Sequence, residues 1–260
     1  MIGGLIGDIV GSRFEHNNCK TKVFDLFTNK CSYTDDSVMS LAVCNALMQS
    51  RSDYSDLREQ AVLSLQTIGR LYPYCGYGYF FKQWLFSENP QPYYSYGNGA
   101  AMRVSACGYV GKTINEVKIL SKAVTEITHN HPEGLKGAEA VAVSVFLART
   151  GCSLIEIKNY FIENYYPLDF MLDDIRETYQ FNTSCQGTIP QALAAFFEST
   201  DFEDAIRNAI SIGGDSDTIA AITGSVAGAY YGVSTTIREQ ACKFLDEYLL
   251  KILLEFENKY

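Results

Sequence analysis

Between Asn208 and Gly232 the chain reads NAISIGGDSDTIAAITGSVAGAYYG, and this stretch narrows the folds open to it more than any other. Ala220, Gly224 and Gly228 recur four residues apart, with Ala221 and Ser225 beside them. On a helix those positions share one face. Glycine weakens an isolated helix, so a face of small residues is useful only where another backbone comes very close. A second segment has the same character: Gly3, Gly7 and Gly11 are also four apart, with Gly4 adjacent and Glu15 one step further on. The two segments suit each other as a tightly packed helix pair, with Glu15 at the end of its stripe. Taken by itself, Glu15 reads as a solvated helix end, the commoner fate of a lone glutamate.

The start of the first stretch carries chemistry as well as shape. Gly213-Gly214 can make a tight turn, after which Asp215 and Asp217 stand one residue apart with Thr218 next door. This reads as a loop entering a helix N-terminus, where the helix dipole favours carboxylates. Capping needs one Asp, and two place more negative charge there than a cap requires. A second cluster of the same kind, Thr34-Asp35-Asp36-Ser37, precedes VMSLAVCNALMQS, in which Val38, Leu41, Ala42 and Ala46 have helical periodicity. An ordinary capped helix accounts for either cluster alone. Together Thr34, Asp35, Asp36, Asp215, Asp217 and Thr218 form an all-oxygen donor set, which suits Mg²⁺, Mn²⁺ or Ca²⁺ rather than zinc.

The intervening chain reads as further helices. One covers 54–70, ending near Gly69. The stretch 71–96 is crowded with aromatic residues and broken by Pro90 and Pro92. Most of these rings read as core or subunit contact, while Tyr96, beside a glycine loop, is placed to stack on a base. In that loop Gly97-Asn98-Gly99 favours positive φ and exposed N–H groups, either a plain turn or an anion nest. Arg103 offers a salt bridge or a phosphate contact. A helix over 113–127 ends at Thr128-His129-Asn130-His131-Pro132; no nitrogen or sulfur ligand nearby completes a zinc site around the two histidines. They read as helix caps, with a ligand contact by His129 as the sharper alternative. Helical patterns continue over 134–149, twice within 153–178, from Pro190 as a first-turn residue, over 201–211 and over 235–257. With no β-alternation, repeat or linker, the expectation is one all-α domain spanning 1–260, with about ten or more helices.

Charge and cysteine usage exclude some functions. A net charge of −9 with no long basic run argues against a general nucleic-acid binder and against an anionic membrane surface. No apolar run is long enough to cross a bilayer. The eight cysteines are scattered with no Cys-x-x-Cys, and the start lacks a basic leader region, so reduced thiols in a cytoplasm are expected. An acidic protein still binds phosphate-bearing ligands where metals or helix N-termini supply the positive field.

Taken in order, GGLIGDIVGSRFE, YTDDS, YGNGAAMRVS, THNHPEG and GGDSDTIAAITGSVAGAYYG resemble the motifs of the ADP-ribosylglycohydrolase family, from Gly3 to Gly232. The resemblance implies an all-α, single-domain orthogonal helical bundle with a dinuclear Mg²⁺ (or Mn²⁺) centre in a cleft. It implies that Thr34, Asp35 and Asp36 form one metal motif and Asp215, Asp217 and Thr218 the other, with Asp217 bridging. It implies roles for Glu15 in catalysis near the metals, for Gly97, Asn98 and Gly99 at the pyrophosphate and ribose, for Tyr96 on adenine and for His129 on the ADP-ribose. Three positions depart from the family pattern: Ser37 replaces a usual Thr, Ala100 a frequent Ser or Gly, and Ser95 the Asp of some arginine-directed members.

The function expected from this resemblance is metal-dependent hydrolysis of the N- or O-glycosidic bond between ADP-ribose and an acceptor, such as a modified protein. Glu15, Asp36 and Asp217 are the expected catalytic residues, in a monomer or small homo-oligomer. Two rivals use the same cleft: a metal-dependent phosphatase or pyrophosphatase acting on ADP-ribose derivatives, and a non-catalytic ADP-ribose-binding protein.

Overall fold

The computed structural model describes residues 1–260 and contains fourteen α-helices; its one β pairing is an isolated bridge between Gly97 and Ser184. In chain order the helices are α1 (Ile2–Gly11), α2 (Asp35–Gln49), α3 (Leu57–Leu71), α4 (Tyr79–Phe86), α5 (Ser105–Val110), α6 (Ile114–Thr125) and α7 (Pro132–Arg149). They continue with α8 (Leu154–Asn164), α9 (Leu172–Ile175), α10 (Cys185–Phe197), α11 (Phe202–Ser211), α12 (Ser216–Tyr231), α13 (Thr235–Cys242) and α14 (Glu247–Lys259). Short polar side chains set many of the starts. The hydroxyls of Thr34, Thr113 and Ser153 and the carboxylates of Asp201 and Asp246 each accept a first-turn N–H, and Ser153 with Glu156 closes a capping box.

The two stripes of small residues meet, as their spacing predicts. Gly3 lies against Gly224 and Gly228, Gly7 against Ala220, and Gly11 against Asp217, so α1 and α12 run antiparallel in backbone contact. A Cβ at Gly11 would lie 2.5 Å from the Asp217 Cα. Every residue of α1 is buried, and so is every residue of α12 from Ser216 to Ala227. Helices buried on all sides belong at the centre of a fold, and α12 also packs on α7, α10 and α11. The antiparallel arrangement has a consequence for function. It brings the C-terminal end of α1, and the turn beyond it, to the N-terminal end of α12.

Four local expectations are corrected. The first helix ends at Gly11, so Glu15 sits in the following turn rather than on the stripe. Pro190 lies inside α10, not at its first turn; lacking an N–H, it simply leaves the Gln186 carbonyl without its helical donor. The stretch 235–257 is two helices, because Asp246 caps a new one. Gly97 has φ −65° and Gly99 is not among the positive-φ residues, so Asn98–Ala100 is a 3₁₀ turn instead of a positive-φ nest. The aromatic stretch contains α4, and left-handed φ values occur at Gly213 (68°) and Gly214 (78°), the expected tight turn. All eight cysteines are free thiols, and no helix is long and apolar enough to cross a membrane.

Candidate active site

The site is assembled from α1 outward. Asp8, fully buried on α1, accepts hydrogen bonds from the Thr34 N–H (2.9 Å), the Thr34 Oγ1 (2.6 Å) and the Ser37 N–H (3.0 Å), and from the Ser37 hydroxyl. This carboxylate docks the first turn of α2 onto α1 and fixes how Asp35 and Asp36 are presented. The two distant motifs then touch directly: Thr218 Oγ1 donates to Asp36 Oδ2 at 3.1 Å. Carboxylate oxygens of Asp8, Asp36 and Asp217 lie within 4.8 Å of one another, and so do those of Glu15, Asp215 and Asp217. Asp217 belongs to both groups. Asp215 is held in turn by Asn98, whose Nδ2 donates to its Oδ2 at 2.7 Å and to Thr188 Oγ1 at 3.1 Å.

Of these carboxylates all but Asp8 line a cavity of about 360 Å³. Thr34, Asp35, Asp36, Asp215, Asp217, Thr218 and Glu15 are all brought together there, and Gly97, Asn98, Gly99 and His129 line the same cavity. Tyr96 does not line it. Its half-exposed ring packs on His131, with centroids 5.2 Å apart. The rings that do line the cavity are Tyr79, Phe80, Phe81, Tyr93 and Phe181, and among them Phe80 stacks on Tyr93. His131 has a structural task, its Nδ1 accepting the Glu133 N–H as the cap of α7.

The electrostatics of the carboxylates are unbalanced. Of the cluster, Glu15 alone meets a basic side chain, His16 at 3.6 Å. Burial pushes the carboxyl groups of Asp36 and Asp217 far above the usual range, and repulsion from their acidic neighbours pushes them further. Asp35 is pushed up to about 7 by burial first and by Asp8 second. Asp8 and Asp215 are raised by burial against the opposing pull of their hydrogen bonds, and Glu15 is raised mainly by burial. Asp36 Oδ1 is buried with no hydrogen-bond partner. Buried charges of one sign and an orphaned carboxylate oxygen are costly unless a cation joins them. The donors are all hard oxygens, so the cation they fit is a hard divalent one.

The cavity lining also includes the buried cation Arg103. Its Nη2 donates to Thr128 Oγ1 at 2.6 Å and its guanidinium lies 5.3 Å from the Phe81 ring centroid. No salt bridge forms, contrary to one of the two sequence expectations for this residue, and burial lowers its pKa to about 10. His129 is buried beside it.

Sequence reasoning passed over Asp8, the structural use of the Asn98 amide, and the ring wall of Phe80, Tyr93 and Phe181. A signal for Asp8 was present, since it is the one polar residue in IGGLIGDIVG. For the rings none was: eleven aromatic side chains crowd 71–96, Phe181 stands far from them in the chain, and only tertiary packing brings Phe80, Tyr93 and Phe181 to one cavity.

Comparison with known proteins gives a consistent result. The sequence model of the ADP-ribosylglycohydrolase family matches residues 1–255. The chain is 25% identical to ADP-ribosylhydrolase ARH3 of Gallus gallus, across 95% of this chain and 89% of that protein. It is 28% identical to ADP-ribosyl-[dinitrogen reductase] glycohydrolase of Rhodospirillum rubrum, across 77% of this chain and 69% of that protein. A solved structure described as an ADP-ribosylglycohydrolase-related protein complex has the same fold, with a TM-score of 0.69 at 22% identity, covering 98% of this chain and 94% of the other.

Proposed function

The chain belongs to the ADP-ribosylglycohydrolase family, and from that membership we propose that it hydrolyses the bond joining the anomeric carbon of the distal ribose of ADP-ribose to an acceptor. The products are free ADP-ribose and the unmodified acceptor. The observation that carries this reading is the convergence of Glu15 with the two Thr/Asp motifs, 180 residues apart in the chain to within about two, in a single cavity.

In this reading Thr34, Asp35, Asp36, Asp215, Asp217 and Thr218 would hold two divalent cations, Mg²⁺ or Mn²⁺, Asp217 being the carboxylate common to both acidic groups. The orphaned Asp36 Oδ1 and the lack of basic partners support that assignment. Such ions, when bound, polarise a water and the substrate hydroxyls and lower the pKa of that water. Asp8, whose oxygens lie near those of Asp36 and Asp217, is assigned an orienting role, because its carboxylate already accepts four hydrogen bonds from Thr34 and Ser37.

The protein's own groups do the remaining work. Glu15 is less buried than the aspartates and stands next to Asp215 and Asp217. Its carboxylate accepts the proton of the water that adds to the anomeric carbon. The bond to the acceptor breaks with its electron pair leaving on the acceptor, which is then protonated. A raised pKa brings Glu15 closer to neutrality, where a general base works best. Asn98 holds Asp215, and the absence of side chains at Gly97 and Gly99 leaves room for a diphosphate beside His129. Tyr96 lies outside the cavity lining, so the place expected of it on adenine falls to the rings that do line the cavity, among them Phe80, Tyr93 and Phe181.

Hydrolysis in H₂¹⁸O tests the reaction class. Glycosidic hydrolysis places one ¹⁸O on the anomeric carbon of released ADP-ribose. Label in inorganic phosphate or AMP supports the phosphatase reading instead.

A further inference from the structure

Behind His129 lies a hydrogen-bond chain that the reaction as described does not use. Arg103 Nη2 is 2.6 Å from Thr128 Oγ1, and Thr128 Oγ1 is 2.7 Å from His129 Nδ1. Arg103, Thr128 and His129 are all buried. The direction of each bond follows from what each group is able to do. A guanidinium only donates, so Thr128 Oγ1 accepts from Arg103 and keeps its own proton to give. Two acceptors lie within reach of that proton, His129 Nδ1 at 2.7 Å and the Thr125 carbonyl at 3.3 Å. The Thr125 carbonyl already takes two N–H donors, from Thr128 at 3.1 Å and His129 at 2.9 Å, which occupy its two lone pairs. The hydroxyl proton is therefore left for His129 Nδ1.

We infer that Arg103 and Thr128 are positioning residues that lock His129 as the Nε2–H tautomer, a hydrogen-bond donor aimed at a phosphoryl oxygen of the substrate. This rests on the diphosphate-bearing substrate of the proposed function. The ring nitrogen Nε2 lies 3.6 Å from where a Cβ would stand at Gly97 and 3.5 Å from the same place at Gly99. It thus faces the glycine loop, and the ring lines the cavity. Burial, reinforced by the Arg103 charge, holds the imidazole neutral, so the ring offers one donor of fixed direction.

The relay explains why an arginine is buried without a carboxylate. Its charge strengthens each donor in the chain, since bonds in line polarise one another in a low dielectric. The guanidinium lies over the Phe81 ring, and Arg103 lines the cavity with His129. The carboxylates of the cavity get no ion pair from it, and the phosphate gets a polarised neutral donor.

The test is a ¹⁵N–¹H correlation spectrum of the ring nitrogens, made simple by the presence of only three histidines, His16, His129 and His131. In ligand-free wild-type protein His129 is expected to show an unprotonated, pyridine-like Nδ1 and a protonated, pyrrole-like Nε2. The Nε2–H is expected to shift on adding ADP-ribose. Thr128→Val removes the hydroxyl at nearly constant shape. It is expected to release the tautomer and to raise the KM of a cleavable ADP-ribosyl substrate about tenfold, the size of one neutral hydrogen bond, with kcat nearly unchanged. Thr128→Ser is expected to restore both. A wild-type His129 protonated at Nδ1, or a Thr128→Val protein that keeps the Nε2–H tautomer, overturns the proposal. The ligand-free spectrum reads the tautomer whether or not the protein hydrolyses anything, so failure of the relay and failure of the functional reading give different results.

Discussion

Gly11→Ala adds a single methyl group at the contact that joins the fold to the site. In most helices this change stabilises, by about 1 kcal/mol in the interior and less at a last turn. Here the new Cβ would meet three backbone atoms: the Asp217 Cα at 2.5 Å, the Ser216 carbonyl oxygen at 2.7 Å and the Asp217 N at 2.9 Å. Ordinary contact for a Cβ begins near 3.4 Å, so α1 and α12 must part by up to about 0.9 Å. Backbone cannot rotate aside as a side chain does, and overpacking of this kind costs about 1–3 kcal/mol. Subtracting a last-turn propensity gain of about 0.5 kcal/mol leaves a net loss of about 0.5–2.5 kcal/mol, or a Tm lower by about 1–10 °C for a chain of this size. The same displacement moves Asp217, the carboxylate shared by both clusters. Sites of this kind tolerate about 0.5 Å, so divalent-cation affinity is expected to fall about 10–100-fold, as it does when a metal site loses its support. Thermal melts with and without Mg²⁺ or Mn²⁺, with calorimetric titration, read both effects. Gly78→Ala is the control, because a Cβ there meets nothing within 4 Å and should leave Tm unchanged. A Gly11→Ala protein as stable as wild type, with unaltered cation affinity, would refute the reasoning.

Three further predictions follow from the carboxylate cluster. Asp36→Asn removes one of several repelling charges, so in EDTA its Tm should equal or exceed that of wild type while Mg²⁺ no longer raises it and activity is lost; a lower Tm in EDTA with metal stabilisation intact contradicts the assignment. Asp8→Asn keeps one acceptor oxygen but sets an amide against the N–H and O–H donors of Thr34 and Ser37, so cation affinity or kcat/KM should drop about 10–100-fold through its orienting role; unchanged activity would remove that role. The pH dependence of the EDTA-treated protein has a definite sign. A carboxyl raised in the fold, as Asp35 is from 3.8 to about 7, binds its proton more tightly folded than unfolded. Its stabilisation is complete below the unfolded pKa and is lost as pH rises through the folded one, at up to about 1.4 kcal/mol per pH unit for one group. Without metal, Tm should therefore fall between pH 5 and pH 8, and saturating Mg²⁺ should flatten that fall; a metal-free Tm that climbs with pH would contradict it.

What the sequence disclosed depended on whether the cause was local. The two Thr/Asp clusters were legible because charge at a helix start exceeds what a cap needs, and the α1–α12 pairing was legible because four-residue spacing of glycines has few other uses. Helix interruptions were less so. Residues 235–257 keep an amphipathic pattern on both sides of Asp246, and only its cap bond to Leu249 reveals the break. Pro190 reads as a helix start by preference, yet the helix begins five residues earlier with the Ser184 cap. At Gly97 and Gly99 neither a positive φ nor crowding demands glycine, since a Cβ would stand 3.6 and 3.5 Å from His129 Nε2, at ordinary contact; what the missing side chains leave is open cavity, which sequence does not reveal. Asp8 was visible as a lone carboxylate in an apolar helix, but its partners lie 26 and 29 residues away, a tertiary fact. Tyr96 adjoins the glycine loop in sequence, while the rings that line the cavity come from α4, the loop after it and the segment before α10.

The most direct test of the central claim is release of free ADP-ribose from arginine-, serine- and base-linked ADP-ribosyl substrates, measured for wild type and Asp217→Asn. Each is assayed in EDTA and again after adding back Mg²⁺ or Mn²⁺. The account predicts release by wild type on at least one linkage, abolished by EDTA, restored by the cation, and absent from the variant under every condition. Release that persists in EDTA, or that Asp217→Asn retains, would contradict it.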